Sequence, residues 1–278
     1  MPIRGSLPRS LCRQLRVDRA DAVSGGCIND CYRVIIDGAP RFLKLNDASF
    51  SDAFAAEADG LAALKESGVR VPQPLGYGVE ESKAYLLLEY LEFKGEGDYA
   101  ALGRVLAEAH RKPAARFGWR RDNYIGSTPQ ANAWCGDWTD FWRERRLRPQ
   151  LELARRNGFN IEAEPVLRAL EGHRPRPSLL HGDLWSGNAA FTAQGEPVLF
   201  DPAVYCGDRE ADLAMTELFG GFPGEFYAAY NEVYALEAGY AQRKHFYNLY
   251  HLLNHLNLFG GGYLGQVRST LRLLLRGL

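Results

Sequence analysis

Apolar residues alternate with period two in the first third of the chain and recur every three to four residues after it. Cys31 to Ile36 and Arg41 to Leu45 read as two strands joined by Asp37-Gly38, a pair suited to a tight hairpin turn. Phe50 to Ser67 carries Phe54, Leu61 and Leu64 at helical spacing. Residues 10–23 read as a weak helix. Val71-Pro72-Gln73-Pro74 is a rigid connector, because proline cannot continue a helix. Ala84 to Leu91, AYLLLEYL, reads as a buried strand that carries the chain towards a second lobe, with a hinge loop at Gly95 to Gly97. Beyond it the period is helical: Tyr99 to Arg111, Ile161 to Glu171, Phe226 to Tyr234, Arg243 to Phe259 and Leu264 to Leu275. Trp134, Trp138, Phe141 and Trp142 recur on one helical face, a stripe that fits a core better than a sugar platform. The expectation is an α+β protein in two lobes. Residues 1–92 would build a small antiparallel sheet with one helix, and residues 93–278 a larger, mostly helical lobe.

Composition narrows the functional classes. With 278 residues and 46% hydrophobic positions the chain can bury a large core. A net charge of −1 argues against a nucleic-acid binder or a partner of anionic membranes. No run approaches the ~18 apolar residues of a membrane span, and MPIRGSLPRSLCRQLRV lacks the apolar core of a secretory signal. The five cysteines are odd in number and scattered, which suits free thiols in a reducing cytoplasm. Arg143, Arg145, Arg146, Arg148, Arg155 and Arg156 form a basic stretch. It reads as a solvated helical face or as a patch for an anionic part of a substrate. His251 and His255 have the i, i+4 spacing of zinc ligands but no adjacent Glu, and read as core or pocket-wall residues.

The chemistry concentrates in LLHGDLWSGN, residues 179–188, and LFDPA, residues 199–203. Asp183, Asn188 and Asp201 stand in the order a phosphoryl-transfer site needs: a carboxylate to orient a hydroxyl, then an amide and a carboxylate to hold Mg2+. The spacing follows the protein-kinase pattern, with Gly182 in place of its Arg and Pro202 in place of its Phe. Upstream, Lys44 lies in a strand and would reach the ATP phosphates, with Glu57 on the following helix as its partner. A strand lysine between apolar neighbours otherwise points to solvent, and an acid on a helix boundary otherwise has no special role. Gly25 and Gly26 would let backbone N–H groups approach phosphate, though an ordinary loop fits them as well. Adenine would lie against the backbone near Glu89 and Leu91. His181 is expected to buttress the loop, Asp212 to hold it by backbone hydrogen bonds, and Trp185 to face the acceptor. These readings together make a bilobal, protein-kinase-like small-molecule kinase.

The chain resembles the fructosamine kinase (ketosamine 3-kinase) family, within the wider aminoglycoside-phosphotransferase-type fold. The matching segments are GGCIN at 25–29, FLK at 42–44, FAAE at 54–57, LLLEYL at 86–91, FGWRRDNYIGSTPQANAW at 117–134, LLHGDLWSGN at 179–188, DPAVYCGDREADLAM at 201–215, LFGGFP at 218–223 and HLLNHLNLFGGGY at 251–263. The Trp of HGDLW and the FGGF run set this family apart from aminoglycoside kinases. The resemblance implies ATP-dependent phosphorylation of the 3-hydroxyl of a ketosamine, ribulosamine or fructosamine, free or on a protein lysine, as deglycation repair. It implies Asp183 as base, Asn188 and Asp201 as magnesium ligands, and Lys44 with Glu57 as the phosphate-positioning pair. Cys206 departs from the aromatic residue expected there. Cys27 beside the phosphates is a candidate redox-sensitive thiol, or an inert small side chain. Other readings are a kinase for an aminoglycoside or a choline-like alcohol, with Trp185, Tyr205 and Tyr263 as an aromatic cage, or a non-catalytic nucleotide-binding scaffold. A monomer without nucleic-acid or membrane partners is expected.

Overall fold

The computed structural model describes residues 7–23 and 28–276. Helix α1 (Arg9–Leu15) is followed by β1 (Val17–Val23), β2 (Asp30–Ile36) and β3 (Ala39–Asp47), then α2 (Ser51–Glu66), β4 (Pro74–Glu80) and β5 (Lys83–Glu89). The strands form one antiparallel sheet in the order β1-β2-β3-β5-β4. The β2–β3 hairpin turns on Asp37 (φ 50°) and Gly38 (φ 74°), the left-handed pair that matches strand twist. The weak helix expected over 10–23 is a helix only to Leu15. Arg16 takes a left-handed conformation (φ 56°) that stops it, and Val17–Val23 then pairs with β2. Strand pairing here outweighs a weak helical preference. β4 lay hidden in the sequence because Leu75, Tyr77 and Val79 face outward, exposed.

β3 is covered on both faces, and that decides where it points its side chains. On the outer face Leu43 and Leu45 pack with Leu11 of α1, Tyr32, Val34 and Tyr85. Strand alternation therefore turns Lys44 to the opposite face, towards α2. There Phe54, Leu61 and Leu64 of α2 meet Leu86 and Leu88 of β5.

After β5 the chain leaves the sheet. β6 (Phe93–Lys94) comes next, followed by α3 (Tyr99–Arg111), β7 (Asn123–Ile125), β8 (Thr128–Gln130), α4 (Trp138–Trp142) and α5 (Arg148–Arg156). Then come β9 (Ser178–Leu180), β10 (Ala189–Thr192), β11 (Pro197–Leu199), β12 (Tyr205–Gly207), α6 (Glu210–Leu218), α7 (Gly224–Val233), α8 (Tyr240–Phe259) and α9 (Leu264–Arg276). β6 pairs with β10, which pairs with β11; β9 pairs with β12, and β7 with β8. The helix expected over 161–171 is only a 3-10 stretch, Glu164–Arg168. Pro165 has no N–H for a longer helix and would clash with the preceding turn. Trp138, Phe141 and Trp142 are buried with Tyr247 and Tyr250, as a core stripe should be, while Trp134 is exposed.

The two lobes share one apolar cluster: Leu184, Val204, Leu213 and Phe226 join the α2 and β5 residues. Polar clamps from the segment 119–124 also fasten α2. Trp119 Nε1 donates to Asp59 (2.7 Å), Arg120 pairs with the same carboxylate, and Arg121 pairs with Asp52 (2.6 Å). Within the helical lobe, Gly103 lets α3 approach α7 closely, since a Cβ there would meet the Phe226 carbonyl oxygen at 2.3 Å. Gly103→Ala is expected to cost about 1–3 kcal/mol by overpacking, read as a lower urea midpoint. An unchanged midpoint would contradict this packing.

Candidate active site

Lys44 is the centre of the cleft. Its Nζ lies 2.6 Å from Glu57 Oε1 and 2.5 Å from Asp201 Oδ1, with the lysine side chain only 5% exposed. Burial opposes the charged form, but the two carboxylates outweigh it and hold the ammonium charged, above the ordinary lysine range. Glu57 is brought there because α2 runs against the segment after Asp201. A Cβ at Gly60 would sit 3.2 Å from Val204, so that glycine permits the approach. Asp201 takes the left-handed region (φ 56°), which an Asp tolerates better than most residues.

The loop between β9 and β10 is fixed from several sides. Asp212, 1% exposed on α6, accepts the backbone N–H of His181 (2.7 Å) and of Gly182 (2.8 Å). Burial works against its charge, yet His110, His181 and the Gly182 N–H hold the carboxyl below its usual range. His181 is fully buried. Its Nε2 faces the Phe200 carbonyl oxygen (3.0 Å), and its Nδ1 receives the Asp183 N–H (3.3 Å). That network assigns a neutral ring donating through Nε2, and burial lowers its pKa accordingly. Gly182 has φ +83°, and a Cβ there would lie 2.1 Å from the Ala203 carbonyl oxygen. The sequence thus places glycine where the protein-kinase pattern has arginine because the backbone leaves no room.

Asp183 emerges from this turn with one oxygen engaged. Asn188 Nδ2 donates to the Asp183 carbonyl (2.8 Å) and to Oδ2 (3.3 Å), and Oδ1 accepts no hydrogen bond among the described residues. Burial, then the Asp201 charge, push the Asp183 carboxyl up to about 7, against the Asn188 bond. Because Asn188 spends its Nδ2 on Asp183, its Oδ1 is left without a partner among the described residues, as is Asp201 Oδ2. Such a pair of hard oxygen donors suits a small divalent cation such as Mg2+.

An aromatic group follows the loop. Trp185, half-buried, packs over Gly187, where a Cβ would meet its ring at 2.4 Å. Its ring meets Phe219 edge-on (6.5 Å), and Phe219 contacts His255 (4.5 Å) and Tyr263 (6.4 Å). Phe259 closes the group on His255 (5.5 Å). The sequence offered Trp185 and Tyr263 for such a wall and missed Phe219 and Phe259; the FGGF run and the His251–His255 spacing were the available signals. Tyr205 does not belong to it. It is 1% exposed in the core, stacked on Phe141 with the Arg146 guanidinium over its ring, so the structure corrects its expected place on the substrate side.

The remaining expected residues divide. Gly25, Gly26 and Cys27 lie outside the described residues. Glu89 receives a fork from Arg70 (2.6 and 2.8 Å) that holds its carboxyl below the usual range. Its N–H already donates to the Gln73 carbonyl (2.9 Å), so that donor is not open to adenine. Leu91 follows the end of β5, half-buried outside the ladder. The arginine stretch is split: Arg143 pairs with Asp140 and Glu144, and Arg148 with Glu144, while Arg146 turns into the core.

Fold and cleft together define a protein-kinase-like, ATP-dependent phosphotransferase. The chain superposes on an aminoglycoside phosphotransferase in ternary complex with ADP and hygromycin B with a TM-score of 0.66, covering 97% of this chain and 99% of that one at 15% identity, a likeness of fold alone. The family model for fructosamine kinase matches residues 3–277, and the chain belongs to the fructosamine kinase family. A protein of Synechocystis named a probable ketoamine kinase is 49% identical over 94% of this chain and 92% of its own. The chloroplastic protein-ribulosamine 3-kinase of Arabidopsis thaliana is 41% identical over 92% of this chain and 82% of its own. The crystal structure of a candidate fructosamine-3-kinase from Haemophilus somnus 129PT matches with a TM-score of 0.89, at 30% identity over 96% of each chain.

Two outcomes follow from this geometry. Gly182→Ala is expected to lower kcat at least tenfold and to reduce the thermal midpoint, measured by initial rates and calorimetry; a wild-type rate would contradict the close approach to Ala203. Burial of His251 on α8 lowers its pKa to about 3. The unfolded histidine binds a proton below about pH 6.5 while the folded one does not, so stability falls as pH drops from 6.5 towards 3, by up to about 1.4 kcal/mol per pH unit from this group. Urea titrations of His251→Gln should show a shallower acid decline than wild type; parallel declines would contradict it.

Proposed function

We propose that this protein transfers the γ-phosphoryl group of ATP to the 3-hydroxyl of ketosamines, ribulosamine or fructosamine, free or on protein lysines, and so acts as a deglycation repair kinase. The observation that carries the reading is Lys44, held between Glu57 and Asp201, together with the Asp183–Asn188 pair, whose carboxyl feels the Asp201 charge. The names of the relatives, a ketoamine kinase and a protein-ribulosamine 3-kinase, support the acceptor class.

In this mechanism the Lys44 ammonium contacts the ATP phosphates and Glu57 fixes its direction. Asn188 Oδ1 and Asp201 would hold Mg2+, which when bound offsets phosphate charge. Asp183 Oδ1 accepts a hydrogen bond from the attacking hydroxyl and takes its proton late. A carboxyl raised to about 7 is well matched to that exchange near neutrality. Trp185 and Phe219 form the wall against which the sugar and its amine-bearing carbon lie. Gly25 and Gly26 would cradle the phosphates, and adenine would meet the backbone near Leu91. The lobe boundary falls near residue 92. No helix among the described residues is long and apolar enough to cross a membrane; a cytoplasmic monomer is our reading.

The test is ATP consumption against ribulosamine, fructosamine, an aminoglycoside and choline. Turnover should be fastest with a ketosamine; preference for an aminoglycoside or choline, or binding without turnover, would overturn the reading. Asp183→Ala should lower kcat by about 10²–10⁴ while the ATP dissociation constant stays within threefold. A near-normal rate in that variant would remove Asp183 as the base.

A further inference from the structure

A buried polar cluster lies beside the contact between α4 and the segment after Asp201. At its centre Arg146 is 0% exposed, in the stretch Arg143–Leu147 where the helix widens to π turns. No carboxylate pairs with it among the described residues. Its Nη1 donates to the Ala131 carbonyl (2.7 Å) and the Arg145 carbonyl (3.0 Å), its Nη2 to Asn132 Oδ1 (2.7 Å), and its Nε has no partner. The guanidinium lies over the rings of Tyr205 (4.0 Å) and Phe141 (4.7 Å). A cation buried without an acid is a poor device for stability, since well-packed apolar residues serve at least as well. Its position makes sense as a source of direction.

Arginine can only donate. Asn132 must therefore turn its oxygen to Arg146, which sends its Nδ2 to Asn123 Oδ1 (2.8 Å). Gln130 Nε2 donates to the same oxygen (2.8 Å). Asn123 is then left with its Nδ2 facing the Val204 carbonyl (2.7 Å), while Gln130 Nε2 also reaches the Ala203 carbonyl (3.1 Å). The Tyr250 hydroxyl donates to Gln130 Oε1 (2.7 Å) and holds that amide in the same sense. The relay ends on the two residues that follow Asp201-Pro202. Ala203 in turn donates its N–H to the His181 carbonyl (2.8 Å), and its own carbonyl oxygen is what excludes a side chain at Gly182.

We propose that Arg146 is a positioning residue for phosphoryl transfer: it fixes the hydrogen-bond polarity of the Asn132–Asn123–Gln130 relay, and through the Ala203 and Val204 carbonyls it sets Asp201 against the His181–Asp183 turn. The proposal rests on the kinase reading above. Two variants test it, each assayed beside wild type with the ketosamine that wild type turns over best. Arg146→Met keeps volume and removes the donor. Asn132→Asp keeps an acceptor for Arg146 but removes the donor towards Asn123, so it breaks the relay while adding an ion pair. Both should lower kcat by about 10- to 100-fold, as small displacements of reacting groups do, with KM for ATP and acceptor within twofold. Hydrogen exchange in nucleotide-free protein should quicken at the Ala203 amide and leave β2 and β3 unchanged. If Arg146→Met does not fold, Asn132→Asp decides. A kcat within twofold of wild type in a folded variant, or unchanged exchange at Ala203, would overturn the proposal. Absence of ketosamine turnover in wild type would instead sink the functional reading, and the exchange result would still judge the relay.

Discussion

The structure depends on one buried cation. Lys44 is held by carboxylates from two lobes, Glu57 on α2 and Asp201 after β11. The ammonium offsets the repulsion between the two carboxylates, and they in turn offset the desolvation of a lysine that is only 5% exposed. The constraint propagates outward. β3 must be covered on its outer face, which α1 does through Leu11, so that Lys44 faces inward. α2 must lie against the Asp201 segment, which Gly60 permits and which the Asp52–Arg121 and Asp59–Trp119 contacts maintain. The helix that carries the lysine's partner is thus tied to the second lobe as well as to its own sheet.

The loop between β9 and β10 is fixed largely through its backbone groups. Asp212 takes two N–H groups, His181 joins Phe200 to Asp183, and Gly182 fits against Ala203 with no room for a Cβ. Asp183 can then carry a raised pKa on a rigid mount. A carboxylate held this way loses little entropy when a hydroxyl arrives, which is what transfer by alignment requires. The aromatic group from Trp185 to Phe259 follows this loop and brings no carboxylate of its own.

Much of this was legible in the chain. Asp183, Asn188 and Asp201 stand at spacings that chemistry constrains tightly, and β2, β3, α2 and the long helices follow from apolar period. Lys44 was ambiguous because its apolar neighbours can belong to either face, and only α1 settles which face is covered. β4 escaped because its apolar side chains point outward. Pro165 excludes a regular helix running through it from Ile161. Tyr205 was misplaced because an aromatic residue near a motif reads alike whether it lines a cleft or underlies it. Arg146 was hidden among surface arginines, since sequence spacing does not register the π turns that rotate it inward.

Regiochemistry tests the central claim most directly. The product formed from ATP and a ribulosamine, isolated and examined by phosphorus–carbon coupling in NMR, should carry its phosphate on the 3-hydroxyl. A phosphate on any other hydroxyl, or inorganic phosphate released without a sugar phosphate, would contradict the account.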